Sequence, residues 1–340
     1  MKDSDYHSFV LRVSCMTYNH SSCISDAFDG FVMQQTSFPF VCTIIDDAST
    51  DGTQEVIREY LRKCFDLQNP EVSSENETSY GKIVISQHKS NRNCFFVVLF
   101  LNDNHFNRKQ SKYVYLPEWK RTRYIAFCEG DDYWTDPLKL QKQVDYMESR
   151  PDCMLTVHSA NWKTGEDLYP SGCQDSFAKD FSVEELILCG GYYFATASFV
   201  IRSKLNLDWP EWRRMAGVGD FPLQILAGLR GNVHYLPDRM CVYRYQNEGS
   251  WSSNQKRNDV FCAFQKRKIE WMTLLDEDTD HKYQSAIYDQ LLQHYRSLFL
   301  LREIGFTEYA KAYMKSSQKK YGRLVKDFLK VYVKPRFQSS

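Results

Sequence analysis

The stretch Arg123-Tyr-Ile-Ala-Phe-Cys-Glu-Gly-Asp-Asp-Tyr-Trp134 constrains this chain more than any other. Tyr124 to Cys128 is an apolar run, long enough for a buried strand and too short for a helix. It runs straight into Glu129, Asp131 and Asp132. Three carboxylates at the end of a buried strand repel one another and resist desolvation unless a positive group sits among them. A hard divalent cation fits that need: Mg²⁺ or Mn²⁺ takes one or two protein carboxylates and completes its shell with water and phosphate oxygens. Gly130 lets the backbone turn tightly and leaves room for a ligand. Asp136 then suits a helix N-cap, Pro137 the first helical position, and Leu140, Val144 and Met147 fall on one helical face. A solvated acidic loop would carry the same residue types, but such loops seldom follow an apolar strand so abruptly.

The same strand–turn–helix order occurs twice upstream. Phe9 to Met16 predicts a strand, Thr17-Tyr-Asn-His20 a turn, and Ile24, Ala27, Phe28 and Phe31 a helix ending before Pro39. Phe40 to Ile45 predicts a second strand and Asp46 to Thr53 its turn. Asp51 with Gln54 suggests a cap for a helix carrying Val56, Ile57, Tyr60, Leu61 and Cys64. Repetition of this unit implies an α/β sheet, mixed but mostly parallel and flanked by helices. Further on, residues 67–80 and 102–123 read as polar insertions and Lys82 to Gln87 as a strand. Cys94 to Leu101 fits either helix or strand. Met154 to His158, Tyr193 to Ile201, Val233 to Leu236 and Met240 to Tyr245 predict strands, and residues 161–180 a loop. Val183 to Cys189 predicts a short helix, and Gly217-Val-Gly-Asp-Phe-Pro222 leads into another. The pattern is helical from Val260 almost to the end, so the expected division is a catalytic domain over 1–255 and a helical extension over 256–340.

Composition narrows the function. Lys plus Arg and Asp plus Glu are 43 each, so the chain lacks the basic excess of a general nucleic-acid binder. Aromatic residues reach 15%, which suits a large core or a site that stacks bases and sugar rings. Eleven cysteines without Cys-x-x-Cys pairs point to reduced thiols. No apolar run approaches a membrane span, and the polar start is not a signal peptide, so a cytoplasmic location is expected.

Open α/β sheets bind ligands beyond the carboxyl ends of their strands, where Thr17, Tyr18, Asn19, Asp46, Asp47, Asp131 and Asp132 fall. A nucleoside diphosphate suits the set. Tyr18 can stack on a base, Asp47 can accept from a base N–H, as uracil or guanine offers, and Asp131 and Asp132 can hold the metal. No Gly-x-x-x-x-Gly-Lys phosphate loop is present.

Met16-Thr-Tyr-Asn19, Ile44-Ile-Asp-Asp-Ala-Ser-Thr-Asp-Gly-Thr53 and Ala126-Phe-Cys-Glu-Gly-Asp-Asp-Tyr-Trp-Thr-Asp-Pro-Leu-Lys-Leu140 resemble, in order, the landmarks of family 2 glycosyltransferases. The similarity covers about residues 9 to 253 and is greatest to bacterial members that assemble capsule, lipopolysaccharide or exopolysaccharide. It implies a nucleotide-diphospho-sugar-binding, GT-A-like fold and an inverting, metal-dependent transfer with Mn²⁺ or Mg²⁺. The donor would be a nucleotide-sugar, with UDP favoured, and the acceptor a hydroxyl of a glycan or a lipid-linked glycan. The resemblance places the catalytic base at Asp220 in Gly219-Asp-Phe-Pro-Leu223, and donor-sugar or phosphate contacts at Glu129, Arg244 and Trp251. It also puts Lys89, Asn91 and Asn93 in a donor-touching region. Two departures stand out: Met16 replaces the usual Pro, and Gln246 and Asn247 stand where relatives often carry a metal-binding His. A sugar nucleotidyltransferase or a non-catalytic nucleotide-sugar binder would share the strand-end architecture. The first usually has a Gly-rich phosphate loop near its start, and the second has no need of Asp220.

Residues 311–336 carry nine basic residues against Asp327 alone, with Tyr321, Leu324, Val325, Phe328, Leu329 and Tyr332 at helical spacing. This amphipathic helix either lies on an anionic inner-leaflet surface or docks on its own domain.

Overall fold

The computed structural model describes residues 9–106, 108, 115, 121–245, 258–318 and 321–332. One compact unit comprises 1–180, 193–207 and 230–245, and the other 181–192, 208–229 and 246–340.

The first unit is built on one mixed sheet. Its elements in chain order are β1 (Leu11–Thr17), α1 (Ile24–Val32), β2 (Phe40–Asp46), α2 (Thr53–Cys64), β3 (Ser73–Glu77), β4 (Gly81–Gln87), β5 (Cys94–Leu101), β6 (Tyr124–Phe127), β7 (Tyr133–Trp134), α3 (Lys139–Ser149), β8 (Cys153–Thr164), β9 (Asp167–Ser171), β10 (Lys179–Phe181), β11 (Val200–Arg202) and β12 (Asn232–Arg244). The strand order is β10-β12-β8-β11-β6-β1-β2-β5-β4-β3, with β7 on β12 and β9 on β8. At the centre β6, β1, β2 and β5 run parallel. The period of two divides β2 between the faces: Phe40, Cys42 and Ile44 join the core under α1, α2 and α3, and Val41 and Ile45 the opposite one. Phe28, Phe31, Ile57, Leu61, Leu140, Val144 and Met147 fill the first core from the helices, as their spacing predicts.

Several expectations are corrected. Cys94–Leu101 is a strand, because it is buried on both faces between β2 and β4. The polar segment 67–80 contains β3, an edge strand. Of residues 161–180 only 172–178 form the expected loop: β8 continues to Thr164 and returns as β9. The two strands expected over 233–245 are one bulged strand, β12. Of 193–201 only the end is extended. Asp136 accepts the Leu138 N–H but stands outside α3, which starts at Lys139. Asp51 bonds Thr53 at the start of α2, and Gln54 turns to Asp46 instead of closing a capping box.

The second unit contains α4 (Val183–Cys189), α5 (Glu211–Met215), α6 (Asp220–Arg230), α7 (Asn258–Asp278), α8 (Gln284–Leu300), α9 (Phe306–Lys315) and α10 (Tyr321–Tyr332). Ser182 and Glu185 form a capping box on α4. Trp212 stacks on Trp271 at 6.1 Å and donates to Asp278, tying α5 to α7. Among the described residues, no helix is long and apolar enough to cross a membrane.

Candidate active site

Because β2, β1 and β6 are parallel neighbours, Thr17, Asp46 and the acidic turn leave the sheet at one edge. Backbone bonds lock them together: Asp47 N–H donates to the Thr17 carbonyl at 3.0 Å and Gly130 N–H to the Met16 carbonyl at 2.9 Å. A Cβ on Gly130 would lie 2.8 Å from Thr17 and 2.7 Å from Ile24. The glycine thus makes room for the first loop, not for a ligand, which corrects the expectation.

The first two loops are stitched side by side. Asn19 N–H donates to Ser49, Thr50 N–H to the Asn19 side chain, His20 N–H to Thr53 and Ser21 N–H to Asp51. Asn19 and Ala48 take left-handed backbone angles, φ 57° and 59°, to make these turns. Tyr18 remains 41% exposed beside them. Hydrogen bonds to Thr53 and Ser21 outweigh desolvation at Asp51 and bring its pKa down to about 2.

Asp46 and Asp47 are buried and internally engaged. Asp46 accepts from Ser49 and Gln54, and burial raises its pKa. Asp47 accepts the His105 N–H at 2.8 Å and the Phe106 N–H at 3.1 Å, one on each carboxylate oxygen. At 2% exposure it fastens residues 105–106 to the β2 turn.

At the acidic turn Glu129 is exposed, Asp131 half-buried and Asp132 only 2% exposed. Asp131 Oδ2 lies 4.0 Å from His20 Nε2, and His20 Nδ1 is 3.1 Å from the Thr17 hydroxyl. Burial lowers the His20 pKa, so the imidazole is neutral near pH 7. Asp132 accepts the Arg244 backbone N–H at 2.9 Å. Its pKa is raised well above the carboxylate range, first by burial and then by Asp131. The Arg244 guanidinium donates to the Asp131 carbonyl at 2.6 Å and to the Asp26 carboxylate, and lies 4.6 Å from the Tyr133 ring. Arg244 therefore braces the turn. Cys15 and Cys128 beneath it are held as thiols, chiefly by burial.

This geometry tests the fit of a divalent cation. Among the described residues no three His, Cys, Asp or Glu side chains converge as an all-protein cage requires. A buried Asp132, a more accessible Asp131 and an exposed Glu129 suit the other pattern, in which one or two carboxylates share a cation with water and phosphate. Asp131 and Asp132 would hold it.

Asp220 belongs to the second unit. It is the first residue of α6, and its carboxylate accepts the Phe221 N–H at 2.7 Å. Burial raises its pKa, opposed first by the Phe221 hydrogen bond and then by Lys268 and Arg213. Lys268 lies 4.8 Å from the Phe221 ring, and burial lowers its pKa to about 8. Arg213 donates to the Val218 and Gly219 carbonyls and so fixes the loop leading to Asp220.

Trp251, Gln246 and Asn247 lie outside the described residues. Lys89, Asn91 and Asn93 are not at the ligand edge. They precede β5 at the opposite end of the sheet, where they bond carbonyls of residues 62–63, Val32, Gln34 and Thr36. Sequence reasoning passed over His20 and Asp26. Adjacency to Thr17-Tyr-Asn19 was the signal for His20, and Asp26 gave none.

No family model matches this sequence. It is 29% identical over 314 residues to uncharacterized proteins of Mycobacterium tuberculosis and Mycobacterium bovis, covering 87% of this chain and 75% of theirs. Among solved structures, S. aureus TarS residues 1–349 in complex with UDP-GlcNAc is similar with a TM-score of 0.56 at 15% identity, over 93% of this chain and 81% of that one. Its UDP complex gives a TM-score of 0.53 at 14% identity, over 95% and 81%. A mannosyltransferase of Pyrobaculum calidifontis in complex with GDP-Man and Mn²⁺ is more distant, with a TM-score of 0.46 at 14% identity, over 96% and 88%. At such identities the likeness establishes the fold alone: a mixed, mostly parallel α/β sheet of the GT-A-like type.

Proposed function

We propose that this chain is an inverting glycosyltransferase. It moves a sugar from a nucleotide-diphosphate donor, UDP-sugar favoured, to a hydroxyl of a glycan or lipid-linked acceptor in bacterial polysaccharide assembly. The observation that carries the reading is the meeting of the Thr17–His20 loop with the acidic turn, where Asp131 faces His20 beside an exposed Tyr18. Likeness to a fold solved with UDP and UDP-GlcNAc supports the choice of donor. Tyr18 and Asn19 flank the base, Glu129 lies toward the donor sugar, and Arg244 keeps the turn in place through Asp26. A divalent cation held by Asp131 and Asp132 would supply positive charge to the diphosphate as it leaves. Asp220 takes the proton of the acceptor hydroxyl as that oxygen bonds to the anomeric carbon and the nucleoside diphosphate departs with the old bond's electrons. One displacement inverts the configuration. A nucleotidyltransferase or a non-catalytic binder lacks support from a phosphate loop in the first case and makes no use of Asp220 in the second.

A thermal-shift panel of UDP, GDP, CDP and dTDP, with and without Mn²⁺, tests the donor side. UDP with Mn²⁺ is expected to give the largest rise in melting temperature, following mass action. A flat panel would remove the nucleotide reading.

Peripheral attachment to the inner membrane face is part of the proposal, and α10 supports it with both of its sides. Asp327 and Val331 are buried: Arg296 grips Asp327 at 2.6 and 2.9 Å, and Tyr309 donates to it at 3.1 Å. The opposite side exposes Tyr321, Val325, Leu329 and Tyr332 at 45–56%, with Arg323, Lys326 and Lys330 exposed alongside. Docking and an open apolar stripe thus coexist on one helix, and the basic rim suits anionic lipid at about 1 kcal/mol per residue. Lys319, Lys320, Lys334 and Arg336 lie outside the described residues. Full-length protein is expected to sediment with anionic vesicles at low salt, and V325S/L329S to stay in the supernatant. Those side chains are exposed, so their loss leaves the docked face intact. Equal behaviour of the two proteins would reduce α10 to a packing element.

A further inference from the structure

The ladder of β12, β8 and β9 extends past the core. β8 is buried through Ala160 and half-buried from Asn161 to Lys163. In that stretch Tyr243 pairs with Trp162, and Trp162 with Tyr169. Directly paired residues share a face of the sheet, so the three rings form a row across three strands. Tyr245, two residues beyond Tyr243 and on the same face, stacks on Trp162 at 4.7 Å and 14°. Trp162 and Tyr243 lie 6.1 Å apart, and Tyr243 and Tyr245 6.5 Å. Tyr169 at the outer end is 53% exposed. The strand that carries the inner end adjoins the acidic turn: Val242, next to Tyr243, pairs with Tyr133, and the Arg244 N–H donates to Asp132.

We propose that this row is a stacking ledge for the acceptor glycan, leading away from the acidic turn and holding about two sugar rings. The inference rests on the transferase reading above and names the acceptor's class as a chain of neutral hexose rings. Strands about 4.8 Å apart make the row about 10 Å long, matching about two ring units. Four rings on one face, Tyr169 exposed and the other three half-buried, form a cluster where an ordinary surface has scattered single aromatics. A sugar ring offers an apolar C–H face to an aromatic plane and keeps a rim of hydroxyls for water and polar neighbours. Such neighbours are present: Thr164 and Asp167 pair on the same face two residues beyond Trp162 and Tyr169, and the Tyr169 hydroxyl donates to Asp167 at 3.3 Å. The β8–β9 hairpin presents Tyr169 from a regular strand pair, which holds it in place before the glycan arrives.

The test titrates the full chain, with UDP and Mn²⁺ present, with cellohexaose, maltohexaose and mannohexaose. Isothermal titration and saturation-transfer NMR provide the readout. At least one hexamer is expected to bind, with saturation centred on ring C–H protons, and Tyr169→Ala and Trp162→Ala to weaken it about tenfold or more. Tyr169 is exposed, so Tyr169→Ala keeps the test valid if Trp162→Ala fails to fold. Retention of the UDP-induced melting shift checks the fold of each variant. No binding by any hexamer, or equal binding to wild type and both variants, overturns the ledge. Hexamer binding that depends on Tyr169 with no turnover of any nucleotide-sugar would sink the transferase reading and leave the ledge standing. Turnover with an acceptor KM indifferent to Tyr169 would do the reverse.

Discussion

Asp220→Asn is expected to lower sugar transfer by about two to four orders of magnitude, the usual worth of a positioned general base. The amide keeps the oxygen that accepts the Phe221 N–H at the start of α6, so the helix should form as before. It cannot take a proton. Binding of UDP should stay near that of the wild type, which separates a chemical defect from a folding one. The pH profile gives a second readout. Burial raises the Asp220 pKa, with the Phe221 hydrogen bond and then Lys268 and Arg213 opposing the shift. A base must be ionised to act, so the rate should fall as pH drops through that raised pKa. This acidic limb should sit above the ordinary carboxylate range and be absent from the residual activity of the variant. Normal turnover in Asp220→Asn would leave the residue as a helix-starting acid and nothing more.

The acidic turn should separate binding from stability. Asp131→Asn is expected to weaken Mn²⁺-dependent UDP binding by about 10–100-fold or more, by comparison with what even supporting residues of metal sites contribute. Its carboxylate is the accessible one of the pair, at 22% exposure and facing His20. Asp132→Asn should also reduce cation-dependent binding, yet raise the melting temperature of the ligand-free protein at pH 7. The buried Asp132 has a raised folded-state pKa, caused first by burial and then by Asp131. Its contribution to stability is therefore full below the unfolded carboxylate pKa and is lost as pH rises through the folded one. At neutral pH the group is ionised in the unfolded chain and disfavoured as an anion in the folded one, which costs stability, and an amide, which still accepts from the Arg244 N–H, removes the cost. The gain should shrink as pH falls toward the carboxylate range. Differential scanning fluorimetry across pH, paired with isothermal titration of UDP with and without EDTA, measures both effects. A ligand-free Asp132→Asn that melts lower at pH 7, or UDP affinity untouched by EDTA and by both substitutions, would remove the turn from the proposed mechanism.

The sequence by itself determined the frame of the site. The apolar runs of β1, β2 and β6, the helical spacing in α1, α2 and α3, and the acidic residues after Cys128 are local patterns, and the fold follows them closely. Their periods of 2 and 3.6 residues decide which side is buried, whatever lies elsewhere in the chain. Tertiary structure alone decided what those residues touch. Asp47 looks like a free acceptor in the sequence, but its donors are at residues 105 and 106, which reach it only when residues 104–106 fold over the β2 turn. Asp26 gives no sign of function until Arg244, from the other end of the sheet-forming chain, reaches back to it. Likewise, no local pattern sets Trp162 between Tyr169 and Tyr243, because strand register is fixed by long-range pairing. In α10 the spacing announced one amphipathic helix, whereas Asp327 turned out to be its buried anchor and Val325 part of its open side. A buried carboxylate is stable there because Arg296 and Tyr309 stand opposite, and partners 31 and 18 residues away leave no trace in the periodicity of the helix they hold.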